Sequence, residues 1–194
     1  MGFNRNFFFG QVRGSLFGGR LTTSQINGLT AILDEWEAKH ANQDDRWLAY
    51  MLATVHHETD RQFRGIEEYG KGRTRPYGKK LKMNRQAYQM PDKLYYGRGF
   101  VQLTWYENYE KAGKKLGIDL LNKPELALDL GNCVKILFLG MTEGWFTGRK
   151  LSSYFTGTKE DWITARRIIN GLDKANLISA YGKRFYAAIS YTTA

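Results

Sequence analysis

A mainly α-helical domain is what this sequence predicts, on three observations. Apolar residues recur at intervals of three and four in the long periodic stretches. Capping residues and stop glycines bracket those stretches. The chain of 194 residues is 42% apolar and shows no internal repeat, linker or second module, so it can bury one core.

The first periodic segment is "LTTSQINGLTAILDEWEAKH". Thr22 and Gln25 stand at capping-box spacing, and Ile26, Leu29, Ile32, Leu33 and Trp36 follow at helical intervals. Next comes "DDRWLAYMLATVHHET", which Asp44 or Asp45 can cap. Trp47, Leu48, Tyr50, Met51, Leu52, Ala53 and Val55 make it apolar nearly all round, the mark of a buried helix. His56, His57 and Glu58 fall at its carboxyl end. From Thr59 to Lys93 periodicity is weak and Gly, Arg and Lys abound, which predicts a long irregular region of the kind that carries function. "YYGRGFVQLTW" (Tyr95 to Trp105) reads as a glycine turn followed by a short strand-like run, and "YENYEKAGKKLG" as a helix stopped by Gly117. Lys123-Pro124-Glu125 begins another helix, and "GNCVKILFLGMTEGWF" is a largely buried one. In "TKEDWITARRIING" Thr158 and Asp161 offer a second capping box, with an end near Gly171. The last helix, "ANLISAYGKRFYAAISY", sets Leu177, Tyr181, Phe185, Ala188 and Ile189 on one face. About six to eight helices are expected.

Composition narrows the function classes. One cysteine, Cys133, precludes an internal disulfide and points to a reducing compartment. The start, "MGFNRNFFFGQVRG", is too briefly apolar for a secretory core, and Asn6 occupies the place where myristoylation needs Ser or Thr. No apolar run approaches the ~20 residues of a membrane span. Synthesis in the cytosol, without an export device, is therefore expected. Lys and Arg outnumber Asp and Glu by 29 to 19, so the net charge of +10 favours a polyanionic partner. Nucleic acid, an anionic membrane surface and an acidic wall polymer all qualify. Without zinc-finger spacing, an RNP-type aromatic motif or a basic-region heptad, the nucleic-acid case is the weaker one. Five Trp, twelve Tyr and eleven Phe suit either core filling or stacking on ring-shaped ligands.

Chemistry concentrates in "VHHETDRQFRGIEEYGKG", where Glu58 is followed about ten residues later by Glu67 and Glu68. A helical zinc site needs His-Glu-x-x-His, but Arg61 holds the second histidine position, and His56 and His57 point ~100° apart. No metal and no cofactor is expected. A carboxyl at the end of a buried helix is driven toward its neutral form by desolvation and by the negative helix terminus. A second carboxylate on a wet, basic loop stays charged. Two carboxyls in opposite protonation states are what glycoside hydrolysis uses. A polar helix end with surface ion pairs to Arg61, Arg64 or Arg73 fits the same residues.

Resemblance separates these readings. "HET" at His57 to Thr59, "EEYGKG" at Glu67 to Gly72, "YYGRGFVQLTWYENY" at Tyr95 to Tyr109 and "IING" at Ile168 to Gly171 follow one another as in the glycoside hydrolase family 19 chitinase-like proteins. The chain looks most like the phage endolysins of that group, from about Leu16 to Tyr186. That resemblance implies a lysozyme-like α-helical fold with a deep cleft between two lobes, and an inverting mechanism. Glu58 is then the general acid and Glu68, with Glu67 as the alternative, the general base that holds the attacking water. Thr104 helps to hold that water. Gln102 and Asn108 contact the sugar N-acetyl groups and the carboxylate network, Asn170 makes a further substrate contact, and Tyr96 lines the cleft. Plant members use an arginine before a Phe-Tyr pair; here Gly182 fills that place and Arg184 is out of register, so no residue takes the role. The basic stretch Arg61 to Lys82 is expected to form one cleft wall and to favour bacterial peptidoglycan over neutral chitin. The implied protein is a monomeric endolysin without a wall-binding module, waiting in the host cytosol until another factor opens the inner membrane. Chitinase activity, or an inactive basic wall- or nucleic-acid-binding protein, are the rival expectations.

Overall fold

Residues 4–90 and 92–190 are described by a computed structural model, and six α-helices carry their core. They are α1 (Arg5–Leu16), α2 (Thr23–Lys39), α3 (Asp45–Glu58), α4 (Tyr106–Leu116), α5 (Leu130–Glu143) and α6 (Ala175–Ile189). The strand content of these residues is one two-stranded antiparallel hairpin, β1 (Phe155–Thr156) with β2 (Lys159–Glu160). Met1 to Phe3, the start of the segment read for a leader, and Tyr191, the last residue of the final predicted helix, lie outside the described residues.

Both halves of the α2 capping box form. The Gln25 N–H donates to Thr22 Oγ1 at 3.3 Å, and the Thr22 N–H donates to Gln25 Oε1 at 2.8 Å. Leu29, Ile32, Leu33 and Trp36 are buried, whereas Ile26, one residue off that stripe, is exposed. Asp44 caps α3, and every residue from Leu48 to His56 is buried. The all-round apolar pattern thus makes α3 the central helix; α6 packs along it and α1 lies against α6. Gly28 lets α2 approach the turn after α3, because a Cβ there would sit 1.9 Å from the Phe63 carbonyl oxygen.

Four sequence expectations are corrected. The amino-terminal stretch, read only for a leader, is a helix whose Phe8, Val12 and Leu16 recur every fourth residue toward the core. Pro124 opens a 3-10 turn (Pro124–Leu128), and α5 starts only at Leu130, capped by Asp129. "TKEDWITARRIING" contains no α-helix: Thr158 is used up in the hairpin turn, and Asp161 accepts the Thr164 N–H at the start of a 3-10 turn, Thr164–Ile168. Trp162, Ala165 and Ile168 are the buried apolar residues, and that spacing of three suits a 3-10 repeat rather than 3.6. On α6, Leu177 is exposed and Ile178 takes its place in the core.

The strand-like run at Tyr95–Trp105 is also not a strand. Arg98 and Leu103 exchange both backbone hydrogen bonds (2.8 and 3.1 Å) around a tight turn, with Gly99 and Gln102 in the left-handed region. A Cβ on Gly99 would meet the Ala127 carbonyl oxygen at 2.5 Å, so glycine is required there twice over. Among the described residues no helix is long and apolar enough to cross a membrane.

His56 adds a cost to the core. It is 1% exposed within a cage of Phe17, Phe63, Tyr181 and Phe185, its Nδ1 has no partner, and its Nε2 lies 3.4 Å from the Leu16 carbonyl. Burial pushes its pKa down to about 4. Between that value and the ordinary ~6.5 the unfolded chain binds the extra proton, so stability is lost as pH falls through this window. Urea unfolding at pH 7 and pH 4 should differ by about 3 kcal/mol on this account, and His56→Leu should flatten the difference.

Candidate functional site

The site begins where α3 ends. Glu58 is the last helical residue, and the next five include three non-glycine residues in the left-handed region, Asp60, Arg61 and Phe63. Thr59 holds this turn: its Oγ1 donates to the Val55 carbonyl at 2.7 Å and accepts the Phe63 N–H at 3.1 Å. Gln25 adds a bond from its side-chain amide to the Arg61 carbonyl at 3.0 Å. The Glu58 side chain, 14% exposed, is thereby fixed at the edge of the core.

It opens into a cleft of about 760 Å3. One bordering segment supplies Arg75, Pro76, Tyr77, Met83 and Arg85; a second supplies Val101, Gln102, Thr104, Trp105 and Asn108. The third runs through Phe146, Thr147, Arg149 and on to Arg167, Ile169, Asn170 and Gly171. The basic stretch expected to form a wall does so only from Arg75 onward. Thr104 Oγ1 donates to the Gln102 carbonyl at 2.6 Å, and the Asn108 amide donates to the Thr104 carbonyl at 2.9 Å, so these three share one ladder. Asn170 is exposed, with Oδ1 accepting the Gly171 N–H. Trp105 is left-handed at φ 78°, backbone strain of the kind that clusters at functional sites. Its ring stands edge-on to that of Tyr77.

Five residues singled out from the sequence therefore meet in the cleft: Glu58, Gln102, Thr104, Asn108 and Asn170. Three others do not line it. Tyr96 is buried beneath the Arg98 guanidinium, 3.7 Å from its ring centre, and its hydroxyl donates to Glu67. Glu67 is further engaged by Lys71 at 3.0 Å and by Arg98 Nε at 3.5 Å. The Tyr96 hydroxyl foremost, with these cations, holds the Glu67 carboxyl below the usual range. Glu68 sits one residue behind the cleft: it accepts the hydroxyl of the lining residue Tyr77 at 3.0 Å and the Gly97 N–H at 3.1 Å. Burial, then this bond, pushes the Tyr77 hydroxyl up to about 12.

The sequence reading left Glu58 without a partner, and that is corrected. Arg166, 4% exposed, sets Nη1 2.5 Å from Glu58 Oε1, while its Nε donates to the Asp173 carbonyl at 3.2 Å. Nothing local signals a pair separated by 108 positions; the one hint is the double arginine before "IING". Arg184 instead donates to the Ser15 carbonyl on α1, and the Trp162 ring occupies the space beside Gly182. Positive charge in the cleft also extends beyond the basic stretch expected to supply it. Arg75, Arg85, Arg149 and Arg167 line the cleft, and among the described residues none has a carboxylate partner. Among the described residues Glu58 is the single carboxylate in the lining. No group of three or more His, Cys, Asp or Glu among the described residues could hold a metal ion. Such a cleft can grip an anionic chain and present one carboxyl to it.

In sequence and in fold the chain is similar to known chitinases. The profile of the family described as chitinase class I matches residues 37–150. An endochitinase of Arabidopsis thaliana is 46% identical over 81 residues, 42% of this chain and 29% of the relative. The matched stretch thus spans under a third of that relative's length. Chitinase C from Streptomyces griseus superposes with a TM-score of 0.61 at 25% identity, over 98% of this chain and 77% of that one. A bacterial family 19 chitinase gives 0.60 at 26% identity, over 96% and 94%.

Proposed function

From the premise that this chain belongs to glycoside hydrolase family 19, the chitinase class I family, we propose that it is a phage-type endolysin. It hydrolyses the β-1,4 bonds between aminosugars of bacterial peptidoglycan. Glu58 gives its proton to the leaving sugar oxygen, and a carboxylate near the far side of the ring activates water, as inversion requires. Glu68, tied to the cleft through Tyr77, is assigned that second role, with Glu67 as the alternative; Thr104 steadies the water. Gln102, Asn108 and Asn170 contact the substrate.

The observation that carries the peptidoglycan reading is the set of four arginines without carboxylate partners beside a single glutamate. Chitin is neutral and offers a guanidinium nothing to pair with. Peptidoglycan bears lactyl-linked peptides whose carboxylates match it. Acting on the wall places the protein beyond the inner membrane at lysis, with another factor opening that barrier. Chitin hydrolysis is the second reading, favoured by the endochitinase named above.

Turbidity loss of purified murein, compared with oligomer release from chitin across a salt series, tests the choice. Murein should be cleaved faster at low salt, and the advantage should shrink as salt screens the arginines. Product masses should show cleaved glycan strands. Equal rates on both polymers at every salt concentration would remove the support for an endolysin.

A further inference from the structure

We propose that Arg166 is a positioning residue for Glu58, an inference that rests on the hydrolase reading above. Its guanidinium holds Oε1 at 2.5 Å, and Oε2, outside that bond, is therefore the oxygen assigned to the scissile bond. In the reaction the proton on Oε2 passes to the glycosidic oxygen as the bond to the leaving sugar breaks. Water forms the new bond at the anomeric carbon and yields its proton to the base carboxylate.

Burying this pair is costly. A guanidinium that is 4% exposed has lost most of its hydration, and such a buried pair is weak evidence for stability. It does restrict geometry: Nη1 is committed to Glu58 and Nε to the Asp173 carbonyl, so the planar fork is held at two points. A carboxyl on the last residue of a helix, fixed by its own backbone on one side only, gains a single orientation from this fork. The next residue, Arg167, lines the cleft instead, so the two adjacent arginines divide the work between acid and substrate. No other cation pairs with Glu58 among the described residues.

The test compares Arg166→Gln and Arg166→Lys, each alone and in the Glu58→Gln background, by steady-state kinetics on soluble glycan strands. A misplaced acid costs on the order of 10–100-fold in rate. Arg166→Gln should therefore lower kcat by about that factor with KM within about twofold, and Arg166→Lys should recover part of it. In the Glu58→Gln background either change should move the residual rate by less than about twofold, since the group that it orients is already disabled. Circular dichroism checks folding, and Arg166→Lys decides the matter if Arg166→Gln does not fold. Unchanged kcat in the folded variants, a change in KM alone, or fully multiplicative losses in the double variants would overturn the inference. No cleavage of glycan strands by the unaltered protein would instead defeat the underlying hydrolase reading.

Discussion

Glu58→Gln should lower kcat for glycan cleavage by about 10^2–10^4-fold while leaving the fold intact. The two expectations are linked through one contact. Glu58 Oε1 accepts from Arg166 Nη1 at 2.5 Å, and a glutamine oxygen can still accept that bond. What glutamine cannot do is deliver a proton to a departing sugar oxygen. An amide oxygen accepts that bond more weakly than a carboxyl group, so a stability loss of about 1 kcal/mol is expected. Thermal melting and rate assays on the same preparation check both. A folded variant of undiminished rate would mean that another group supplies the proton.

The largest loss of stability should come from Arg98→Leu, about 3 kcal/mol by urea unfolding. Arg98 is buried, and its Nη1 donates to the Leu94 carbonyl at 2.9 Å and to the Tyr109 hydroxyl at 3.0 Å. Its guanidinium also covers the Tyr96 ring and approaches Glu67. Leucine abandons the carbonyl, the hydroxyl and the carboxylate together. Glu67 keeps Lys71 and the Tyr96 hydroxyl and remains partly solvated, which holds the penalty below that of a fully orphaned charge. Arg98→Lys should recover little, because one ammonium cannot reproduce the planar fork. The Arg98–Leu103 turn presents Gln102 and Thr104 to the cleft, so activity should fall with stability in this variant.

These contacts show which parts of the molecule local sequence can express. The α2 capping box, the buried face of α3 and the Gly117 stop are encoded within a few residues, and each forms where its spacing places it. The cleft positions of Glu58, Gln102, Thr104, Asn108 and Asn170 follow from motif order. Failures occur where a segment answers to distant neighbours. Gly10 and Gly14 weaken the local helix signal of α1, which is held by packing Phe8, Val12 and Leu16. Trp162, Ala165 and Ile168 read as part of a capped helix until their spacing of three is matched to the core. Tyr96 looks like a cleft aromatic by position, yet Arg98 and Glu67 draw it inward. The arginines of the cleft come from three stretches of chain, and only folding assembles them.

Helix ends ordinarily fray first, and here the terminal residue of α3 carries the carboxyl proposed as the acid. The Thr59 hydroxyl, the Gln25 amide and the close fit at Gly28 splice that end into the interior. Loosening of the acid is thereby tied to loosening of the whole body. Heat should therefore extinguish turnover and tertiary order in one cooperative step, with no warmer regime in which an intact protein has lost its aim.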